Sequence, residues 1–128
     1  MNTPKDLKFA KTHEWARVVG AVVEVGITDF AQHQLSDITY VDLPQVGRAL
    51  KAGEDMAVVE SIKAASDIYA PVSGTVAEVN EKLADSPEVI NSDPYSAGWI
   101  VRITPDNQAE LDSLLDAAAY DKACEGEK

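Results

Sequence analysis

Short runs of apolar and β-branched residues recur along the chain at close spacing, and turn residues separate most of them. Five segments share this pattern: residues 13–19, 21–27, 38–43, 75–79 and 99–103. The first two meet near Gly20, which predicts two strands joined by a turn, and the third stops at Pro44. Many short strands of this kind favour a compact β barrel or sandwich over a parallel α/β fold.

Short helices are predicted at the edges of this β structure. Thr28 can cap a helix that runs to about Leu35, because its hydroxyl can accept a hydrogen bond from the first turn. Residues 80–83 predict a single helical turn. Residues 84–98 contain two prolines and a glycine, and they predict an ordered loop.

A longer helix is predicted at the C-terminus, over about residues 107–122. Asn107 with Glu110 three residues later resembles a capping box, which is typical of a helix start. The residues behind it that fall on one helical stripe are Leu111, Leu114, Leu115 and Ala118. We expect this stripe to pack against a sheet.

A nearly symmetric hairpin is predicted around Lys63. Apolar runs at residues 56–59 and 68–76 lie on either side of it, and Gly53 and Gly74 stand at similar distances from it. Between the two glycines Lys63 is the only cation, in the company of four acidic residues: Glu54, Asp55, Glu60 and Asp67. A hairpin that presents one amine at its tip indicates an attachment point that another enzyme recognises.

Three roles for Lys63 remain open at this point. It can be an ordinary surface lysine, which is the usual fate of a lysine at a loop tip. A lysine that forms a Schiff base needs burial or a cationic neighbour, whereas the neighbours of Lys63 along the chain are acidic. A carrier lysine that is acylated by a cofactor needs only a rigid turn that holds a flexible side chain outward.

The composition limits the classes of function. The length of 128 residues predicts a single domain over residues 1–128, with a core over about 7–104. A net charge of −11 argues against binding to nucleic acid or to an anionic membrane surface. The single cysteine, Cys124, cannot form an internal disulfide, and two isolated histidines do not predict a metal site. No phosphate loop or catalytic motif is present, so we do not predict an enzyme.

The Lys63 segment resembles the lipoyl-attachment motif of the glycine cleavage system H-protein family. The likeness covers nearly the whole chain and rests on these segments: Glu60–Gly74, Thr12-His13-Glu14-Trp15, Val25-Gly26-Ile27-Thr28-Asp29, Val41-Asp42-Leu43-Pro44, Asn91-Ser92-Asp93-Pro94-Tyr95 and Gly98-Trp99. Biotin carriers typically place methionine on both sides of the lysine, where this chain has Ile62 and Ala64. Lipoyl domains of 2-oxoacid dehydrogenases are shorter and lack the His13-Glu14-Trp15 segment and the C-terminal helix.

The resemblance implies a fold and a function. The fold is a mainly β barrel–sandwich hybrid with short peripheral helices and a C-terminal helix. The function is that of a non-catalytic shuttle, with lipoic acid joined through an amide to Lys63. It implies as partners the pyridoxal-phosphate P protein, the aminomethyltransferase T protein, the dihydrolipoyl dehydrogenase L protein, and a lipoate ligase or octanoyltransferase. The shuttle carries an aminomethyl group and electrons between the first three.

The resemblance also implies roles for individual residues. Glu14, Asp67 and Thr12 match positions of a cleft that shelters the loaded arm, and a carboxylate there would hold an ammonium group. Many family members have a histidine where this chain has Gln34, which can hydrogen-bond to the arm but cannot titrate. Glu60 and Asp67 flank the lysine and are expected to be recognised by the attachment enzyme, or to keep the hairpin from pairing with other strands.

Two other readings of the whole protein stay open. One is a lipoate reservoir that donates lipoyl groups to other carriers, and the other is an unmodified acidic interaction module. No targeting peptide is visible at the N-terminus, which favours a bacterial cytoplasm. A processed protein of the mitochondrial matrix would look similar.

Overall fold

The computed structural model describes residues 3–126. Within this range there are nine strands: β1 Lys8–Phe9, β2 Glu14–Val19, β3 Val22–Ile27, β4 Ile38–Asp42, β5 Ala49–Leu50, β6 Asp55–Ser61, β7 Ala65–Tyr69, β8 Gly74–Val79 and β9 Val101–Pro105. Helical segments are fewer and short: α1 Asp29–Leu35, α2 Lys82–Asp85, α3 Val89–Ser92, a 3-10 helix Gln108–Ser113 and α4 Ala117–Glu125.

The strands form two separate antiparallel sheets. Six strands pair in the order β1-β2-β3-β9-β8-β5, and three pair in the order β4-β6-β7. Val25 and Ile103 of the larger sheet and Val59 and Ile68 of the smaller sheet belong to one buried cluster, so the core lies between the sheets. The predicted mainly β fold is confirmed, and residues 3–126 form two sheets and no closed barrel.

A second, aromatic cluster joins the N-terminal strands to the C-terminal helix. Its buried aromatic members are Phe9, Trp15, Phe30, Tyr95 and Tyr120. The rings of Phe9 and Tyr120 stack with their centroids 4.7 Å apart. This cluster fixes α4 against the start of the chain.

Helix α1 begins as the sequence predicts. The Thr28 side chain accepts a hydrogen bond from the Ala31 amide and caps the N-terminus. Asp29 lies in the first turn, where a carboxylate is favoured by the helix dipole. The helix ends at Leu35, so its last turn faces the Lys63 hairpin across a narrow gap.

The prediction of one C-terminal helix over about 107–122 is wrong. Asn107 does cap a helix, but that 3-10 helix ends at Ser113. Leu115 then exchanges two backbone hydrogen bonds with Phe9, which requires an extended chain. Asp116 caps the separate helix α4. Ala118, placed on the predicted packing stripe, is therefore exposed.

Other local differences have simple causes. The loop predicted over 84–98 contains α3, and the turn predicted over 80–83 begins later, as α2. These four-residue helices are too short to show a helical period. Gly53 adopts a φ of 87°, as a turn glycine does. Gly74 instead begins β8, where an added Cβ would lie 2.2 Å from the Thr104 carbonyl oxygen, so close approach of β9 requires a glycine there.

Candidate functional site

Lys63 lies at the tip of the hairpin formed by β6 and β7. The turn spans residues 62–64 and is closed by a backbone hydrogen bond of 2.8 Å from the Ser61 amide to the Ala64 carbonyl. The Ser61 hydroxyl oxygen accepts hydrogen bonds from the amides of Lys63 and Ala64, at 3.1 and 3.0 Å. Ser61 therefore fixes the backbone of the turn while the Lys63 side chain stays exposed.

The tip is also held from outside the hairpin. The Ile62 amide donates a hydrogen bond of 3.0 Å to the Asp37 carbonyl, just before β4. The Lys63 ammonium nitrogen lies 3.4 Å from the carbonyl oxygen of Gln34, in the last turn of α1. A carbonyl at a helix C-terminus attracts a cation, so α1 directs the lysine across the gap beside it.

This gap is a cleft of about 250 Å³ between α1 and the inner face of β7. Three of the predicted site residues meet there, namely Thr12, Gln34 and Lys63. The rest of its lining is mostly apolar and was not predicted: His13, Ile27, Ala31, Leu35, Ala64, Ser66 and Ile68. Its shape and position can shelter a flexible chain attached to the lysine.

Glu14 lies behind Thr12 and is fully buried. One of its carboxylate oxygens accepts a hydrogen bond from the Thr12 hydroxyl, and the other accepts one of 3.1 Å from the Tyr69 amide. Burial raises the pKa of Glu14, and the hydrogen bonds from Thr12 and Tyr69 oppose that rise. Glu14 thus joins β2 of the large sheet to β7 of the small one.

A second cavity lies on the far side of Thr12. It has a volume of about 430 Å³, and its lining includes Glu14, Tyr69 and Pro71. Thr12 lines both this cavity and the cleft beside Lys63, whereas Glu14 lines only this cavity, so Thr12 lies between the cleft and Glu14.

His13 is the histidine of this site. Its Nδ1 lies 2.6 Å from the Tyr120 hydroxyl, and its ring stacks on Phe30 at a centroid distance of 4.8 Å. Its φ of 76° is unusual for a residue other than glycine, and His13 lines the cleft. His33, one residue before Gln34, is exposed and does not line the cleft.

The structure does not bring Asp67 into the cleft. Ser66 and Ile68 line the cleft, and neighbouring residues of a strand point to opposite faces. Asp67 therefore lies on the outer face of β7, paired with Val58 of β6. Glu60 is exposed on the same outer face, in the pair with Ala65 that lies two pairs nearer the tip.

Two negative findings apply to residues 3–126. No group of three or more His, Cys, Asp or Glu side chains is arranged to hold a metal ion in that range. No helix there is long and apolar enough to cross a membrane. Cys124 is buried in α4 beside Tyr120.

Comparison with known proteins gives one consistent result. A family model described as glycine cleavage H-protein matches residues 7–127. The glycine cleavage system H protein of Symbiobacterium thermophilum is 60% identical over 120 residues, which are 94% of either chain. The H protein of Thermus thermophilus is 54% identical over 127 residues, 99% of either chain.

A solved structure agrees with the fold. The crystal structure of a glycine cleavage system H protein from Mycobacterium marinum has a TM-score of 0.85 and 38% sequence identity. The similarity covers 95% of this chain and 98% of that one. The chain therefore belongs to the glycine cleavage H-protein family and has the lipoyl-carrying shuttle role in the glycine cleavage system.

Proposed function

We propose that Lys63 carries the lipoyl group, joined by an amide between the lipoyl carboxyl and the lysine Nζ. The observation that supports this most strongly is the exposed Lys63 amine on a turn fixed by Ser61. A carrier lysine must be presented in a constant place while its side chain keeps its reach. The residues present fit the group, because an open cleft of about 250 Å³ adjoins the lysine.

The lipoyl dithiolane, when bound, supplies the disulfide that accepts the aminomethyl group of glycine and the electrons of its oxidation. The protein supplies position and protection. It carries these between the P, T and L proteins and has no catalytic residue of its own. Tethering the arm to a small mobile carrier raises its concentration at each docked active site.

The cleft beside Lys63 shelters the loaded arm. Its apolar lining, including Leu35 and Ile68, keeps water from the arm, while Thr12 and Gln34 offer polar contacts. The Thr12 hydroxyl hydrogen is given to Glu14, so the Thr12 oxygen keeps lone pairs that accept a hydrogen bond from an ammonium group. Glu14 then acts through Thr12 and holds that hydroxyl in one orientation.

For Asp67 we propose the recognition role and not the cleft role. Its place on the outer face of β7 beside Glu60 suits recognition by a lipoate ligase or octanoyltransferase rather than contact with the sheltered arm. The similar H proteins named above are bacterial, which supports a bacterial cytoplasmic location.

The test is the intact mass of the protein with peptide mapping, before and after incubation with lipoate, ATP and a lipoate ligase. We expect one lipoyl-sized increment on Lys63. It should be absent from Lys63→Arg and kept in Lys51→Arg, a matched change of an exposed lysine outside the hairpin tip. A folded protein that gains no increment would overturn the proposal.

A second assay separates a shuttle from a reservoir. The lipoylated protein is mixed with P protein and isotopically labelled glycine, and the label on the carrier is counted. We expect glycine-derived label on the wild-type carrier only after lipoylation. Lipoylated protein that gains no label would contradict the shuttle mechanism and leave the reservoir role.

A further inference from the structure

The three-stranded sheet has an outer face that the cleft does not use. Strand pairing aligns Tyr40 of β4 with Glu60 of β6, and Glu60 with Ala65 of β7. The next row aligns Asp42, Val58 and Asp67 in the same order. We call these two rows the outer face: Tyr40, Asp42, Val58, Glu60, Ala65 and Asp67.

This face combines an aromatic ring with carboxylates. Half of the Tyr40 surface, 51%, is exposed, and Asp42, Glu60 and Asp67 are exposed around it. None of its six residues is a cation. Ile62, which is 69% exposed, adds a second apolar side chain at the tip, immediately before Lys63. Large exposed apolar side chains grouped together and rimmed by charges mark an interaction surface.

We propose that the outer face, together with Ile62, is the docking surface for the enzyme that attaches the lipoyl group to Lys63. The partner surface that fits is basic, with an apolar pocket for the Tyr40 ring. This inference rests on the proposed role of Lys63. It extends recognition from the residues beside the lysine in sequence to β4, a separate segment of the chain.

The first argument that the attachment enzyme binds the outer face is its need to reach the Lys63 amine. Before attachment, only the lysine side chain extends from the hairpin, so the enzyme must touch the tip itself. The inner face of β7 is covered, because Ser66 and Ile68 face the cleft and α1. The outer face is the surface of the hairpin that remains free beside the amine.

Charge is the second argument. Three carboxylates on one face attract a basic surface and speed its encounter. The same charges, on a chain of net charge −11, repel a second copy of this protein. The occupant is therefore a partner with the opposite charge.

Ile62 and Tyr40 are held in place relative to Lys63. The Ile62 amide is bonded to the Asp37 carbonyl, at 3.0 Å, and the Thr39 hydroxyl donates a hydrogen bond to the Glu60 carbonyl. These bonds tie the β4 edge to the hairpin. An enzyme that binds Tyr40 is therefore also held in a fixed position relative to the hairpin tip that carries Lys63.

The test compares rates of lipoyl attachment for variants of the outer face with rates for variants of a surface elsewhere on the protein. Tyr40→Ser and the double variant Asp42→Lys/Asp67→Lys change the outer face. Val18→Ser and the double variant Asp6→Lys/Asp112→Lys are matched controls, since all three residues are exposed and line one groove beside the large sheet. Each protein is incubated with lipoate, ATP and lipoate ligase, and kcat/KM for the appearance of lipoylated protein is measured.

We expect Tyr40→Ser to lower kcat/KM for attachment by about tenfold, as loss of a central aromatic contact does at interfaces. The charge-reversed double variant should lower it by a similar factor, with both controls within about twofold of wild type. Urea midpoints close to wild type would show that the variants are folded. Rising salt should slow attachment to wild type and should slow it less for the double variant.

Two results would overturn the inference. One is attachment to both outer-face variants at the wild-type rate, with Lys63 still lipoylated, which leaves the proposed role of Lys63 intact. The other is normal attachment combined with slower labelling by glycine and P protein, which would assign the face to a different enzyme. Failure of wild type itself to gain the increment on Lys63 would instead overturn the proposed function.

Discussion

The two faces of strand β7 differ in what surrounds them. Ser66 and Ile68 point inward to the apolar cleft beside α1, whereas Asp67 between them points outward among carboxylates. A strand places successive side chains on opposite faces. One short segment next to Lys63 can therefore shelter a cofactor arm on one side and meet a partner enzyme on the other.

The difference also shows why the hairpin needs a fixed register. A shift of one residue would turn Asp67 into the cleft and Ile68 out to water. The Ser61 hydrogen bonds to the turn oppose such a shift. The division of roles between the faces thus depends on a residue that does not itself line the cleft.

The largest expected effect is on the free energy of unfolding, which should fall for a change on the inner face of β7 and stay nearly constant for a change on its outer face. Ile68 is 3% exposed and part of the core, so Ile68→Ala should lower the free energy of unfolding by about 2–4 kcal/mol. Asp67→Ala, one residue away, should change it by less than about 0.5 kcal/mol. Urea unfolding measures both. Equal losses would contradict the assignment of the two residues to opposite faces.

Ser61→Ala should have the next largest effect. It removes the acceptor for the amides of Lys63 and Ala64, and the loss should lower the free energy of unfolding by about 1 kcal/mol. Hydrogen exchange at the Lys63 and Ala64 amides should become faster. Ser113→Ala, in the 3-10 helix, is the matched control and should leave these two amides unchanged. Unchanged exchange in Ser61→Ala would show that the turn does not need its hydroxyl.

Glu14→Gln should change the pH dependence of stability. Burial raises the pKa of Glu14 above its ordinary value of 4.5, so the folded protein binds this proton more tightly than the unfolded chain does. As pH rises above 4.5 and Glu14 loses this proton, the free energy of unfolding of the wild type therefore falls. Glu14→Gln cannot lose such a proton, so its free energy of unfolding should increase relative to that of the wild type as pH rises above 4.5.

Melting curves of wild type and Glu14→Gln at several pH values measure the effect. Glu60→Gln, the same change at an exposed carboxylate, is the matched control. A wild type that gains stability relative to Glu14→Gln as pH rises would contradict the account of a carboxylate made costly by burial.

The smallest expected effect concerns Gln34. Lys63 contacts its main-chain carbonyl, not its side chain, so Gln34→Ala should leave the attachment rate within about twofold of wild type. Gln34 lines the cleft, so the variant should instead release the loaded arm more easily. Slower attachment to Gln34→Ala would show that the α1 side of the cleft also takes part in recognition by the attachment enzyme.

Much of the fold could be predicted from the sequence because the patterns that specify it are local. The turn glycines, the Thr28 cap and the apolar runs around Lys63 each depend on neighbours in sequence. The C-terminal helix was predicted wrongly because the break at Leu115 comes from hydrogen bonds to Phe9, at the other end of the chain. No local pattern records such a pairing.

The site was readable in part for the same reason. The hairpin motif identifies Lys63 as the candidate, but the face of Asp67 depends on the number of residues in the turn, which the apolar pattern leaves undetermined. His13 was missed because Tyr120 and Phe30 position its ring from distant parts of the chain. Ser61 carried a usable signal, since serine hydroxyls often bond to the backbone two or three residues later.

The most direct test of the two-face account is a comparison of amide NMR spectra of the lipoylated protein before and after loading by glycine and P protein. We predict shifts at cleft residues such as Thr12, Leu35 and Ser66, with little change at Tyr40 and Asp42 on the outer face. Shifts concentrated on the outer face, or none at the cleft, would contradict the account.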